Sequence, residues 1–120
     1  MTDHENLEDE ARTIARQNDL FRTSFGTDAR VPGRIVMTQG IEALGETVHA
    51  RLIAAVRAFE AFTPDNDPHG QHDFGAVEID GTRVWFKIDL YDPDYAYGSD
   101  APANTARTRR VLTLLLPSEY

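Results

Sequence analysis

The sequence predicts an α+β fold in which helices cover mainly one face of an antiparallel sheet of about four strands. Three observations predict it. Apolar residues at helical spacing run from Ile41 to Phe62, and a segment of strict alternation runs from Arg83 to Asp92 just after an Asp80-Gly81 turn. The elements then follow one another as α-β-α-β-β-β, an order that suits an antiparallel sheet with its helices gathered to one side. A doubly wound nucleotide-binding fold is disfavoured, because the chain has too few βαβ units and no glycine-rich phosphate fingerprint.

The first helix is expected between Leu7 and Phe25, where Leu7, Ala11, Ile14, Ala15 and Phe21 recur near helical spacing and Glu8, Asp9 and Glu10 favour a helix N-terminus. Residues 1–6 are expected to be a disordered tail. Gly26, Pro32 and Gly33 break the helix, and the β-branched run Arg34 to Thr38, closed by Gly40, reads as the first strand. Ile41, Leu44, Val48, Leu52, Ala55, Val56, Phe59 and Phe62 then fall on one helical face. Gly45 costs that helix about 1 kcal/mol relative to Ala, and Pro64 drives Thr63 from helical angles, so the helix should end near Phe62.

Thr63 to Asp73 is too rich in proline, glycine and small polar residues to be anything but a loop. Gly75 to Ile79 and Arg83 to Asp92 read as a hairpin around Asp80-Gly81, the strongest short hairpin signal. Val84, Phe86, Ile88 and Leu90 alternate with Trp85, Lys87, Asp89 and Tyr91, so one face enters the core and the other carries a mixed aromatic and charged row. After a loop from Pro93 to about Thr105, Val111 to Leu116 is apolar on both faces, which predicts a central or covered strand.

At 120 residues, with 41% apolar and 27% charged residues, the chain is expected to form a single domain spanning 1–120. It has no cysteine, which removes disulfides, Cys-ligated metals and thiol nucleophiles together and favours the cytoplasm. No membrane span or signal peptide is visible. The 20 acidic and 12 basic residues give a formal charge of −8, which opposes direct binding to nucleic acid or an anionic membrane and is compatible either with a basic protein partner or with plain solubility.

Four blocks carry a family resemblance: Asn18-Asp19-x-Phe21-Arg22, then Phe62 through Pro68, Gly70 and His72-Asp73-Phe74-Gly75, then Lys87-Ile88-Asp89-x-Tyr91-Asp92, and finally Arg110-Val111-Leu112-Thr113 with the terminal Glu119-Tyr120. The chain resembles the bacterial domain of unknown function family 3768. The resemblance implies an accessory protein of the kind carried on plasmids and other mobile DNA, a setting that suggests evasion of host defence or plasmid maintenance. His69 stands where members of the family carry tyrosine, which argues against an essential imidazole there.

The candidate chemistry lies in two places. Asp65, Asp67, His72 and Asp73 supply oxygen and imidazole ligands that a divalent metal can use, although no cofactor is otherwise expected. A calcium-loop reading fails, since Ala76 stands where a bidentate glutamate is required. In the enzymatic reading His72 is the general base, Asp73 orients it or binds metal, and Lys87 stabilises developing negative charge. Against it stands a structural reading, in which Asp65, Asn66 and Asp67 cap backbone N–H groups and Lys87 pairs with Asp89. The second place is the aromatic row. Trp85, Tyr91 and Tyr97, with Asp89 and Asp92, form a candidate binding surface for a basic protein, unless Trp85 and Tyr91 pack beneath the first helix. Arg107, Arg109 and Arg110 are expected to pair with nearby acids. The leading expectation is therefore an accessory protein that acts by protein–protein contact on a host nucleic-acid-handling or defence machine; the alternative is a small metal-dependent, hydrolase-like enzyme.

Overall fold

Helix α1 (Asp3–Thr23) begins within the segment expected to be a tail. The structure, a computed structural model, describes residues 3–120, so residues 1 and 2 of that tail lie outside it. Ile14, Asn18, Phe21 and Arg22 all turn inward from α1, because positions three and four apart share a helical face. The helix ends in a Schellman turn. Phe25 adopts φ +48° and the Gly26 N–H reaches back 3.0 Å to the Phe21 carbonyl, which satisfies an otherwise orphaned acceptor.

Strand β1 (Gly33–Met37) follows, and the apolar stripe beyond it forms two helices where one was expected. Helix α2 (Gln39–Glu42) and helix α3 (Glu46–Ala58) are separated at Gly45, whose φ of +87° no right-handed helix can continue. Helix α3 also stops short of Phe62: Phe59 takes an extended ψ of 130°. The rings of Phe59 and Phe62 still reach the core. They meet edge to face at 4.9 Å, and Phe59 meets Phe86 at 5.2 Å.

Strands β2 (Phe74–Ile79) and β3 (Thr82–Tyr91) form the expected hairpin, with Asp80 and Gly81 both at positive φ as a type I′ turn demands. Strand β4 (Arg109–Leu115) completes the sheet in the order β1-β4-β3-β2. It is central, as its two apolar faces predicted. The sheet is mixed and not purely antiparallel. β4 is antiparallel to β3 but parallel to β1, with Ile35 opposite Leu112. The reason is the number of reversals: the helical crossover returns the chain so that β2 runs in the direction of β1, and two further reversals give β4 that direction too.

Phe21 of α1, Ile41 of α2, and Leu52 and Val56 of α3 share one core cluster with Val84, Phe86, Leu112 and Leu114, so the helices cover one face of the sheet. Close approach there depends on glycine. A Cβ on Gly33 would lie 2.1 Å from the Arg110 carbonyl oxygen, and one on Gly75 would lie 2.3 Å from the Phe86 ring. Among the described residues no helix is long and apolar enough to cross a membrane.

Candidate functional site

The loop between α3 and β2 is fastened to α1 through His72. Asp19 and Arg22, three apart on α1, form an ion pair at 2.9 Å, and both oxygens of Asp19 lie 3.0 Å from His72 Nδ1. The imidazole stacks on Phe62 at 4.1 Å with the rings 3° from parallel, and its Nε2 lies 3.8 Å from an Asp67 oxygen. His72 therefore sits between two carboxylates, one from the helix and one from its own loop. Arg22 completes the fastening by donating to the carbonyls of Val56 and Phe59 at 3.1 and 3.0 Å. A cavity of about 200 Å³ opens beside this cluster, lined by Asp19, Arg22, Thr23, Phe59, Glu60, Phe62 and His72.

Of the four candidate metal ligands, Asp67 and His72 approach each other, but the four do not gather into one site. Buried Asp67 accepts hydrogen bonds from the backbone N–H groups of Gln71 and His72 at 3.1 and 3.2 Å, the capping role weighed in the structural reading. Asn66 likewise caps Thr63 at 2.8 Å, while Asp65 is exposed. Among the described residues no three histidine or carboxylate side chains are placed to hold a metal ion. Asp73 titrates above its ordinary value because burial disfavours its charge and Asp67 adds like-charge repulsion.

Two of the three candidate catalytic residues, His72 and Lys87, are separated as well. Lys87 projects from the sheet face opposite Phe86 and Ile88, whereas His72 stacks on Phe62 at the helix-covered side. Lys87 pairs instead with Asp89 at 2.8 Å, and that bond raises the pKa of the ammonium.

Arg110 departs from its expected pairing with an acid. Fully buried, it donates from Nε to Asn18 Oδ1 at 2.7 Å and from Nη2 to Gln17 Oε1 at 2.8 Å, while Nη1 has no partner. Arg109 likewise turns to backbone carbonyls, and of the three arginines Arg107 makes the expected ion pair, with Asp100 at 3.0 Å. Gln17 and Asn18 extend the network to the carbonyls of Ala103 and Gln71. The Asn18-Asp19-x-x-Arg22 block was visible in the sequence, but its partners lie far along the chain and local spacing carries no sign of them.

Of the candidate binding residues, Trp85, Asp89 and Tyr91 alternate onto the face without helices, whereas Asp92 and Tyr97 belong to the turn beyond β3. Because α1 lies on the Phe86 side, Trp85 and Tyr91 do not pack beneath it. Trp85 meets Phe74 at 5.4 Å and Tyr120 at 5.8 Å, both edge to face. One row across this face runs Arg34, Val111, Asp89 and the next runs Val36, Thr113, Lys87, Phe74. Beyond Tyr91 the chain turns back on itself, and Tyr95 lays its ring 3.7 Å from the Arg34 guanidinium carbon. Asp92 is a turn residue: its carboxylate accepts from the N–H groups of Asp94 and Ala96. Tyr97 is 77% exposed.

The family model described as a protein of unknown function, DUF3768, matches residues 37–119. The chain belongs to this family. No curated protein and no solved structure matches it. The DUF3768 segment contains the His72 loop and all five candidate binding residues, Trp85, Asp89, Tyr91, Asp92 and Tyr97, together with the strands that display them. It begins after Asn18, Asp19 and Arg22, so the α1 side of the His72 cluster lies outside the DUF3768 match.

Proposed function

We propose that this DUF3768 member is a non-enzymatic accessory protein of bacterial mobile DNA that binds a basic protein, a component of a host nucleic-acid-handling or defence machine, through the helix-free face of its sheet. One observation carries the reading. Of the four large apolar or aromatic residues that stand exposed among the described residues, Val36 and Tyr120 lie on this face, and Trp85 adds a half-buried ring. Apolar and aromatic groups gathered on one surface favour a partner, since aromatics supply much of the binding energy of interfaces. The formal charge of −8 supports a basic one. The rival reading, a metal-dependent enzyme centred on the His72–Asp73 loop, draws less support, because Lys87, its candidate for stabilising negative charge, lies across the sheet from His72 and pairs with Asp89.

The test is site-specific photo-cross-linking in a bacterial host. A photoreactive side chain at Val36 or Tyr120 should capture one and the same basic protein, which a probe at exposed Ala54 on α3 fails to capture and which Trp85→Ala releases. Equal capture from all three positions, or capture indifferent to Trp85→Ala, would rule the face out.

A further inference from the structure

Strand β2 forms one edge of the sheet, and its phase against β3 fixes which of its backbone groups face outward. Ile79 and Thr82 close the two-residue turn, and the Ile88 N–H reaches the Asp73 carbonyl at 2.9 Å, so residues 73, 75, 77 and 79 bond inward to β3. Phe74, Ala76 and Glu78 therefore turn their N–H and C=O groups away from the sheet, where β2 has no second strand to take them. The loop before β2 is engaged elsewhere: Asp67 caps Gln71 and His72, which are bound in turn by Asn18 and Asp19 of α1. Lysine, proline or a bulge commonly blunts such an edge, and the run from Phe74 to Ile79 carries none of them. By contrast β1, the opposite edge, follows Pro32 and carries Arg34.

The edge complements itself. A second β2 laid antiparallel about Ala76 sets Ala76 opposite Ala76 and each Phe74 opposite the other copy's Glu78, and every one of these pairs can exchange both of its N–H···O bonds. Their side chains stand on the helix-free face, where Phe74 neighbours Lys87, Ala76 neighbours Trp85 and Glu78 neighbours Arg83. Across the joint one row then reads Lys87, Phe74, Glu78, Arg83, which keeps the two Glu78 carboxylates apart and leaves each beside its own Arg83 at 3.7 Å. The row on the axis reads Trp85, Ala76, Ala76, Trp85, with nothing larger than a methyl group at its centre. We infer that the chain pairs with a second copy of itself through β2, joining two four-stranded sheets edge to edge and making their helix-free faces continuous. The pairing is independent of any basic partner.

Sedimentation equilibrium of the full chain across the micromolar range should reach twice the 13.5 kDa monomer mass at its upper end. Hydrogen exchange locates the joint: the amides of Phe74, Ala76 and Glu78 should exchange about tenfold or more slowly in concentrated than in dilute protein. Ala76→Pro removes the central N–H without touching the ladder to β3 and should weaken pairing by about tenfold or more. Ala76→Lys sets two ammonium groups against each other on the axis, should weaken pairing by about fivefold, and serves if proline perturbs the strand. Because each copy carries a formal charge of −8, added salt should tighten the dimer. A chain that stays monomeric at every concentration, as it would if this edge took only a foreign strand, overturns the inference. So does a dimer whose Phe74, Ala76 and Glu78 amides still exchange freely, or one that Ala76→Lys leaves intact.

Discussion

Asp73 and Glu119 are both carboxylic acids, yet their surroundings move them in opposite directions. Burial and the charge of Asp67 raise Asp73, so its folded-state pKa lies above its unfolded one and its ionised form opposes folding at neutral pH. Asp73→Asn should therefore raise the melting temperature at pH 7. The gain should shrink as pH falls through the folded pKa of Asp73, where the wild-type carboxyl takes up its proton; a lower melting temperature at pH 7 would contradict this. Glu119 is held low, first by the Thr38 hydroxyl at 2.6 Å and then by the N–H groups of Leu116 and Gly40. Its stabilising effect is complete above the unfolded pKa and lost as pH falls through the depressed folded one. Glu119→Gln should thus melt earlier at pH 7 and match the wild type in acid. Arg110 is pushed down to about 10 by burial and remains a cation at neutral pH with two amide oxygens as its side-chain acceptors. Asn18→Ala removes one of them and frees the Gln71 carbonyl, so urea unfolding should register a loss of about 3 kcal/mol.

Among the elements, periodicity in the sequence identified buried side chains more faithfully than backbone conformation. Phe59 and Phe62 continue the apolar stripe of α3, but they reach the core from extended chain, because a spacing of three or four marks a shared direction and several backbone paths can meet it. Gly45 was legible as a weak point in a helix, and its positive φ makes it a break. The hairpin was legible almost to the residue, since an Asp-Gly turn and strict alternation are both local signals. The parallel β1–β4 pair was not, because strand direction depends on how many times the intervening chain reverses. Nor was the placement of His72 against Asp19, which unites a loop with a helix far earlier in the chain. At Gly75 the two levels meet: its missing side chain leaves room for the Phe86 ring, and Gly75→Ala should cost about 1–3 kcal/mol in chemical denaturation through overpacking.

Across the whole molecule, the helices occupy one side of the sheet and leave the other to loops and aromatic rings, so the polar clusters around His72 and Arg110 and the proposed binding face are physically apart. Substitutions at His72 should accordingly loosen the α3–β2 loop, seen as faster amide hydrogen exchange from Asn66 to Asp73, without weakening capture from Val36. The same architecture bears on biosynthesis. β4 follows every other strand in the chain yet lies between two of them. During translation β1 emerges early and has no neighbour on either edge until Arg109 to Leu115 has left the ribosome, and the β2–β3 hairpin must likewise wait with one flank unpaired. Sheet formation is thereby deferred until β4 has been made, with a closing step of high contact order and two open strand edges available to chaperones until it occurs.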